Sequence, residues 1–451
     1  MAQKPNPEPI SWLAALADAG SVEPFPRAGA SPHVARWGIA PAEDDGIVCA
    51  RLAIGGARIL AAAQDARFLG GSIGANHGLA LHRLFLHAAE ERPDVVVLFV
   101  DSGGVRLHEA NAAELALARA LGALFDVRRA GVATLAIVTG AAFGGASVLA
   151  SACEHLRFLP QARFGLSGPG VIETAHGKAE LDAGDPAAVA ALFGASARVA
   201  AGIGTLVDAD PASLRGAIHA AAQDAEPFGR TTLETWDAKL AARLAAAGLV
   251  PAAAMHSPAT LAMWPDAVAV DPTGWLWRVR GSDVHLLRPL APHAFAPAIA
   301  VAIAAALDDG LPPGAPLVVV EDSPGHAATR AAESLGVSEY LAAHAARLAL
   351  LQQEGGTVLG LLAGCGHSAA FFVNALQAET LDALASARIE AMAPDAIARV
   401  TRLPATALAA LIEGDALMGQ PARHLAALGG VARTHSTLTS AALLARVAEL
   451  R

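Results

Sequence analysis

The chain has 451 residues, 54% of them hydrophobic and 16% charged, so it is long enough to bury two cores. A net charge of −10 argues against nucleic-acid binding, and the longest apolar stretch, residues 294–307, is shorter than the ~20 residues of a membrane span. The polar start lacks the apolar run of a signal peptide, and Cys49, Cys153 and Cys365 form no Cys-x-x-Cys pair, so we expect a cytoplasmic protein with no disulfide and no metal site.

The first half of the chain contains two strands that each lead into a turn. Residues 95–100 form a continuous apolar run typical of a buried strand, and Asp-Ser-Gly-Gly follows at 101–104. A helical pattern covers residues 110–130. A second apolar strand at 133–138 then leads into a turn of small residues at 139–146. Buried strands that alternate with helices predict an α/β fold.

The second half repeats this order. A strand at 317–320 is followed by a turn at 321–325, a helical pattern covers residues 328–354, and a strand at 357–362 leads into a turn at 363–370. Matching landmarks lie 221 to 225 residues apart, whereas chance matches would scatter. The sequence therefore indicates an internal duplication of roughly 220 residues.

The duplication predicts two domains of the same α/β type. We place the first at residues 1–235 and the second at 236–451. The boundary falls after residues 226–229, where Glu-Pro-Phe-Gly interrupts a helical pattern.

The glycines after the buried strands indicate a site made of backbone groups. Glycine adopts turn conformations closed to other residues and lets a ligand approach the peptide closely. The first N–H groups of the following helix have no partner within that helix and lie at the positive end of its dipole. Two adjacent turns could direct such donors at one oxyanion, each donor worth about 3–4 kcal/mol in the transition state. The candidate donors in the first half are Gly103, Gly104, Gly144 and Gly145.

Other interpretations of these turns remain open. They could be ordinary strand-to-helix turns, or phosphate sites, although the chain lacks G-x-x-x-x-G-K-[ST] and the glycine spacing of a dinucleotide site. Residues 366–370, Gly-His-Ser-Ala-Ala, are similar to a nucleophile elbow centred on Ser368. The matching residues 142–146 contain no nucleophile, so a serine mechanism accounts for one copy and a backbone site accounts for both.

Three motifs of the first half occur in a characteristic order. They are Phe-Leu-Gly-Gly-Ser-Ile-Gly at residues 68–74, Asp-Ser-Gly-Gly-Val-Arg-Leu-His-Glu at 101–109 and Ser-Gly-Pro-Gly-Val-Ile-Glu at 167–173. Over residues 70–222 the chain resembles the carboxyltransferase branch of the crotonase superfamily, and within it the beta subunit of biotin-independent malonate decarboxylase. The resemblance implies two tandem crotonase-like (ClpP/crotonase, carboxyltransferase-type) β-β-α superhelix domains. It also implies substrate contacts at Gly70, Gly71, Ser72, Ser167 and Gly168.

The second half resembles the gamma subunit of the same enzyme, which makes the chain a fusion of two subunits. Ser368 fits the small-residue turn of that subunit, whereas Ala369 stands where glycine is expected. Residues 389–394 also lack the histidine and lysine associated with that stretch. The resemblance implies that the turns at Gly325 and at Ser368 and Ala369 hold a departing carboxylate.

The resemblance implies that a malonyl thioester, carried on the coenzyme-A-like arm of an acyl carrier protein, loses CO₂ and becomes an acetyl thioester. Decarboxylation places negative charge on the thioester oxygen as an enolate, which the first-half turns would stabilise. Candidate proton donors are His176, His326 and His367, followed by His108 and Glu173. The implied partners are the acyl carrier protein and the acyl carrier protein transferase (alpha) subunit, with no covalently bound cofactor.

Two alternative functions remain. A biotin-dependent acyl-CoA carboxyltransferase subunit would pass the carboxyl group to biotin. The chain has no Ala-Met-Lys-Met of a biotin carrier, because Ala393 follows Ala391 and Met392, but carriers can be separate chains. A non-catalytic assembly subunit is the other alternative, and it is favoured by alanine instead of glycine at Ala369.

Overall fold

The computed structural model describes residues 8–255 and 262–451, so residues 1–7 of the predicted first domain lie outside the described part. The chain divides into two compact units. The described residues of unit 1 are those up to Glu109, Arg119–Thr232 and Ala328–Glu339, and those of unit 2 are Ala110–Ala118, Leu233–Ala327 and Tyr340–Arg451. Each unit thus includes one short segment from the other half of the sequence. The exact domain boundary after residue 235 stays a prediction.

The sheet of unit 1 has eight strands. They are β1 (Glu23–Pro24), β2 (Ile47–Ile54), β3 (Ala57–Gln64), β4 (Val95–Ser102), β5 (Ala133–Ala142), β6 (His155–Phe158), β7 (Arg163–Phe164) and β8 (Thr205–Leu206). The strand order is β1-β2-β3-β4-β5-β6-β8, with β7 paired to the end of β5. The pairings β1–β2 and β2–β3 are antiparallel, and the others are parallel. All eight residues of β4 are buried, which explains its uninterrupted apolar run.

Unit 2 contains a seven-stranded sheet and a two-stranded one. The strands are β9 (Ala267–Ala269), β10 (Leu276–Val279), β11 (His285–Leu287), β12 (Leu317–Glu321), β13 (Val358–Leu362), β14 (Cys365–His367), β15 (Thr380–Leu384), β16 (Arg388–Glu390) and β17 (Arg433–His435). The larger sheet has the order β17-β15-β13-β12-β11-β10-β9, and β14 pairs with β16. Again the pairings of β9 with β10 and of β10 with β11 are antiparallel, and the rest are parallel.

The described helices surround these strands. In the first half they are Pro9–Leu16, Ala75–Glu91, Ala110–Arg129, Gly145–Ala152, Pro169–His176, Pro186–Phe193, Ala195–Ala200, Pro211–Gln223 and Arg230–Ala246. In the second half they are Pro297–Gly310, Arg330–Ser334, Val337–Gln353, Ser368–Val373, Pro394–Thr401, Ala405–Gly414, Ala422–Ala427 and Ser440–Leu450. Short 3₁₀ helices lie at Val34–Trp37, Leu69–Gly71 and Ala375–Gln377. None of the described helices is long and apolar enough to cross a membrane.

The two units share strand order and individual contacts, which confirms the duplication and the α/β class. The pairing of β5 with β7 in unit 1 corresponds to that of β14 with β16 in unit 2. An isolated bridge joins Ile73 to Val105, and its counterpart joins Phe295 to His326, about 220 residues later. The four predicted strands appear as β4, β5, β12 and β13.

One of the two predicted helical segments is interrupted in the structure. Residues 110–130 form the single helix Ala110–Arg129, as predicted. Residues 328–354, predicted as one helical segment, form Arg330–Ser334 and Val337–Gln353 instead. The break lies at Gly336, whose φ of +72° is left-handed and ends the first helix.

Each unit has its own apolar core. In unit 1, Val97 of β4 and Ile137 of β5 pack with Leu214 and Ile218 of helix Pro211–Gln223. In unit 2, Val320 and Leu361 of the central strands pack with Trp264 and Leu443. Burying one such side chain contributes about 1.5–3 kcal/mol, so these layers hold the ends of the central strands in place.

Candidate functional site

The turns that follow β4 and β5 lie against each other in unit 1. Gly104 and Gly144 have φ values of +103° and +56°, a region that favours glycine. A Cβ added to Gly104 would lie 3.0 Å from the carbonyl oxygen of Phe143 and 3.4 Å from the Cα of Gly144. The structure therefore brings the two predicted turns together, and side chains are excluded where they meet.

The four candidate N–H donors of unit 1 are not equivalent. The N–H of Gly103 donates to the carbonyl of Gly70 at 3.0 Å, and that of Gly144 donates to the carbonyl of Leu166 at 2.8 Å. The N–H of Gly104 makes a longer bond of 3.2 Å to a serine hydroxyl. Among the described residues, the buried N–H of Gly145 has no acceptor. A buried N–H without a protein partner is uncommon, which points to Gly145 as the donor open to a ligand.

The predicted substrate-contact segment packs against the first turn. Gly70 and Gly71 both have φ +66°. A Cβ on Gly71 would lie 1.8 Å from the carbonyl oxygen of Asp101, so only glycine fits there. The carbonyl of the exposed Gly70 accepts the bond from Gly103. These contacts show a structural role for Gly70 and Gly71, and their contact with substrate stays a prediction.

A buried arginine fixes the chain on both sides of this turn. Arg106 is 1% exposed, and its guanidinium bonds to the carboxylate of Asp45. It also donates to the carbonyl of Ser72 at 2.9 Å and, more weakly, to the Ser72 hydroxyl at 3.4 Å. Burial raises the pKa of the Asp45 carboxyl, and the charge of Arg106 opposes that rise. This charged residue of the motif therefore stabilises the turn and is not available to a ligand.

A glutamate from the other half of the sequence holds the segment of Ser167 and Gly168. The carboxylate of Glu333 accepts the N–H of Ser167 at 2.5 Å and that of Leu166 at 3.1 Å. Burial raises the pKa of Glu333 to about 7, against the effect of these N–H donors. Nearby, the hydroxyls of Ser147 and Ser338 lie 2.7 Å apart. Sequence reasoning missed both Glu333 and Ser338, because nothing local marks a partner more than 160 residues away.

The structure does not bring the first-half proton-donor candidates to these turns. His176 is exposed at the last residue of its helix. The carboxylate of Glu173 accepts the N–H of Ala183 at 2.7 Å, and the ring of His108 lies 6.2 Å from that of Trp37. In the described part of the chain, no hydrogen bond joins these three side chains to Gly104 or Gly144. Their catalytic roles stay predictions.

The matching turns of unit 2 have similar φ values at two positions. Gly325 has φ +98° and Ser368 has φ +52°. The N–H of Gly325 donates to the Ser323 hydroxyl at 2.9 Å, the counterpart of the bond at Gly104. The N–H groups of Ser368 and Ala369 have no acceptor among the described residues. Ala369 does not have a positive φ, so alanine in place of glycine leaves this donor intact.

Two histidines flank the Ser368 turn. His326 Nδ1 lies 3.5 Å from Ser368 Oγ, and burial, assisted by the charge of His367, lowers the pKa of His326 to about 4. This distance exceeds the ~2.6–3.2 Å of a serine nucleophile and its base. Gly144 has nearly the same positive φ as Ser368, so a positive φ at this position belongs to the duplicated turn and is not evidence for a nucleophile.

Three side chains of metal-ligand type meet beside this turn. Strands β14 and β16 place Cys365, His367 and Glu390 so that one ligand atom of each lies within 4.8 Å of the others. The sequence analysis found no metal site, because Cys365 lacks a second nearby cysteine and Glu390 comes from another strand. The sequence predicted a turn at residues 363–370, so the alternate placement of Cys365 and His367 on a strand became visible only in the structure.

Comparisons with known proteins agree with the order of the two halves. The carboxyl transferase domain family matches residues 14–196, and the malonate decarboxylase gamma subunit family matches residues 295–450. The malonyl-S-ACP:biotin-protein carboxyltransferase of Malonomonas rubra is 37% identical over 35% of this chain and 55% of its own length. The acetyl-coenzyme A carboxylase carboxyl transferase subunits beta/alpha of Frankia alni are 34% identical, over 29% and 21%. The chain thus spans from a fifth to about half of these curated relatives.

The chain was also compared with solved structures. A chain of a Pseudomonas malonate decarboxylase hetero-tetramer, in complex with malonate, is 32% identical to this chain. The match covers 49% of this chain and 83% of that chain, with a TM-score of 0.47.

Proposed function

The two halves of this chain match the carboxyl transferase domain family and the malonate decarboxylase gamma subunit family, and from these matches we propose that the protein decarboxylates a malonyl thioester. The reaction releases CO₂ and leaves the acetyl thioester, without transfer to biotin. The predicted carboxy-lyase activity belongs to malonate catabolism. These two matches confirm the resemblances predicted from the sequence for the first and the second half of the chain.

The observation that carries the proposal is the open N–H of Gly145 beside the turn of Gly104. When the carbon–carbon bond to the carboxylate breaks, its electron pair forms an enolate whose charge lies on the thioester oxygen. The N–H of Gly145 would donate to that oxygen, and the weakly bonded N–H of Gly104 would add a second donor. Donors already fixed by the fold need no reorganisation during the reaction, which is why such an arrangement lowers the barrier.

The enolate carbon must then take a proton. His326 is uncharged near pH 7, because its pKa is lowered to about 4, and this argues against a cationic donor at that position. His367 lies 3.2 Å from the carboxylate of Glu390, and His176 is exposed. His326 is therefore the weakest of the three histidine candidates, and the roles of His176 and His367 as proton donors stay predictions.

The proposed substrate is malonyl-S-acyl carrier protein. The name of the Malonomonas rubra relative includes this thioester, which supports the same substrate class for this chain. The reacting acyl group would be carried on the coenzyme-A-like arm of the carrier protein, so no covalently bound cofactor is needed. The proposed partners are the carrier protein and the acyl carrier protein transferase (alpha) subunit of a malonate decarboxylase complex.

One observation favours a second candidate function, transfer of the carboxyl group to biotin. The 37% identical relative is a biotin-protein carboxyltransferase. Both reactions pass through the same enolate, so the backbone donors serve either one. They differ only in the fate of the carboxyl carbon.

Carboxyl-labelled malonyl-S-acyl carrier protein distinguishes the two reactions. We expect the purified chain to release the label as CO₂ in the absence of biotin and ATP, and avidin to leave the rate unchanged. Avidin saturated with free biotin is the matched control. Label that is released only when a biotinylated acceptor is present would contradict decarboxylation and support carboxyl transfer.

A further inference from the structure

We propose that Cys365, His367 and Glu390 bind a transition-metal ion of the Zn²⁺ type. Strand β14 pairs in parallel with β16, in a register that places His367 opposite Glu390. Cys365 precedes His367 by two residues, so both side chains extend to the same face of the strand. The strand pairing thus brings a thiol, an imidazole and a carboxylate to one point.

The spacing of the three ligand atoms suits a tetrahedral ion. His367 Nδ1 and Glu390 Oε2 lie 3.2 Å apart, and the three ligand atoms all lie within 4.8 Å of one another. Bonds of about 2.0–2.3 Å to Zn²⁺ require ligand atoms roughly 3.3–3.8 Å apart. The separations in the structure, from 3.2 Å to at most 4.8 Å, include this range.

Neighbouring groups orient two of these ligands. Gln420 donates to Oε1 of Glu390 at 3.4 Å, which leaves Oε2 directed at His367. The backbone of Cys365 is fixed on both sides: its N–H donates to the carboxylate of Asp322 at 2.9 Å, and its carbonyl accepts the N–H of Ser323 at 2.7 Å. Hydrogen bonds behind the ligands are a regular feature of protein metal sites.

The ligand set selects the class of ion. Sulfur and imidazole nitrogen favour Zn²⁺ and Co²⁺ over Mg²⁺ and Ca²⁺, which prefer oxygen ligands. Three protein ligands leave a fourth position for water or an anionic oxygen, as in catalytic sites. Ser368, whose N–H has no acceptor among the described residues, directly follows the ligand His367 in the chain. Metal binding itself does not depend on the proposed decarboxylation.

The first copy shows that the cluster is not a by-product of the fold. The positions that match Cys365, His367 and Glu390 are occupied there by alanine, phenylalanine and glycine, at residues 141, 143 and 165. The same strand pairing therefore exists without ligand atoms. An ion pair between His367 and Glu390 accounts for two of the three residues and leaves Cys365 unexplained.

The full chain, stripped with a chelator, tests this proposal by titration with Co²⁺ and then Zn²⁺. We expect one Co²⁺ per chain, with a thiolate-to-cobalt charge-transfer band that Zn²⁺ abolishes and excess Mg²⁺ does not. Cys365→Ser should remove the band. His367→Ala and Glu390→Gln should each weaken binding by about 10–100-fold or more. Cys153→Ala, which removes a buried thiol of unit 1, is the matched control and should keep both band and affinity.

Two results would overturn the proposal: no stoichiometric Co²⁺ binding to the parent chain, or an unchanged charge-transfer band in Cys365→Ser. Circular dichroism establishes that each variant is folded. If Cys365→Ser does not fold, Glu390→Gln decides the question, because it keeps the thiol and the size of the side chain. Unchanged affinity in folded Glu390→Gln would then show that the three residues do not act together.

Discussion

The duplicated turns of the two units have matching positive φ values but different chemical surroundings. Gly144 and Ser368 have φ values of +56° and +52°, and Gly104 and Gly325 have +103° and +98°. In each unit the N–H of the second of these pairs, Gly104 or Gly325, donates to the hydroxyl of the serine two residues earlier. The positive φ is therefore present in both copies, at glycine in unit 1 and at serine in unit 2.

The two turns use their N–H groups differently. In unit 1 the N–H of Gly144 is bonded to Leu166, and the ring of Phe143 packs edge-on against that of Phe193 at 5.5 Å. In unit 2 the N–H of Ser368 stays open, and His367 stands in the position of Phe143. An apolar wall strengthens electrostatic stabilisation of a transient oxyanion. A polar wall suits a stable anion or a metal ion, which agrees with the metal site proposed for unit 2.

The largest expected effect comes from removing the open donor of unit 1. Gly145→Pro deletes this N–H at the first residue of a helix, where proline is tolerated. We expect turnover of malonyl thioester to fall by about 10²–10³-fold, the usual loss for one oxyanion donor. Melting temperature should change little. Steady-state kinetics and thermal melting measure the two quantities.

Ser147→Ala is the control on the same helix. It removes hydroxyl bonds to the carbonyl of Gly144 and to Ser338, both 2.7 Å long, which contribute about 1 kcal/mol to stability. The N–H donors stay in place, so turnover should change far less than in Gly145→Pro. A folded Gly145→Pro protein with near-normal turnover would show that Gly145 is not a donor. Loss of activity in Ser147→Ala alone would indicate a hydroxyl mechanism.

The next effect concerns Glu333, which holds the loop beside the unit 1 turn. Its pKa is raised to about 7, so between pH 4.5 and 7 the folded chain keeps a proton that the unfolded chain releases. Its contribution to stability is therefore fully present below pH 4.5 and declines as pH rises to 7, by about 2–3 kcal/mol. Glu333→Gln cannot ionise and should lack this decline.

Urea denaturation of the parent and Glu333→Gln chains at pH 5 and pH 7.5 measures the difference. The free energy of unfolding of the parent should fall more between the two pH values than that of the variant. Glu90→Gln, at an exposed helix position, is the control and should follow the parent. Equal pH dependence in the parent and Glu333→Gln would contradict a raised pKa at Glu333.

A third prediction compares one buried contact in both copies. A Cβ on Gly140 would lie 2.4 Å from the carboxylate of Asp101, and one on Gly364 would lie 2.2 Å from that of Asp322. Gly140→Ala and Gly364→Ala should each lower stability by about 1–3 kcal/mol, the usual cost of overpacking. Gly168→Ala, which has open space at this point, should not destabilise. A clear loss in only one of the two alanine variants would show that the copies are not equivalent there.

The repeated features were predictable because they depend on local sequence. A continuous apolar run such as residues 95–100 is typical of a strand buried on both faces, and Gly103 and Gly104 mark where it ends. The second copy supplied an independent test at a constant offset. The helical interruption at Gly336 was missed, because apolar periodicity continues on both sides of it.

The residues that distinguish the two turns depend on distant partners. Which N–H groups stay open is decided by the carbonyl of Leu166, and that loop is held by Glu333. The cluster of Cys365, His367 and Glu390 appears only when β14 pairs with β16. Spacing along the chain carries none of this information, since the partners of one turn come from separate segments.

The smallest expected effect comes from exchanging the left-handed residues of the two turns. A left-handed backbone destabilises the folded state by about 1–2 kcal/mol for a residue other than glycine. Glycine avoids this strain, but it makes the unfolded chain more flexible, which lowers stability by about 0.4–1 kcal/mol. Ser368→Gly should therefore stabilise unit 2 by about 0.5–1 kcal/mol. Gly144→Ser should destabilise unit 1 by more than this, because Gly144 combines φ +56° with ψ −137°, a region that few residues other than glycine adopt. The lost contact with His326 is 3.5 Å long and too weak to reverse the sign. Thermal melting of both single variants measures the two shifts. A destabilised Ser368→Gly protein would mean that the hydroxyl of Ser368, and not only its backbone, contributes to the turn of unit 2.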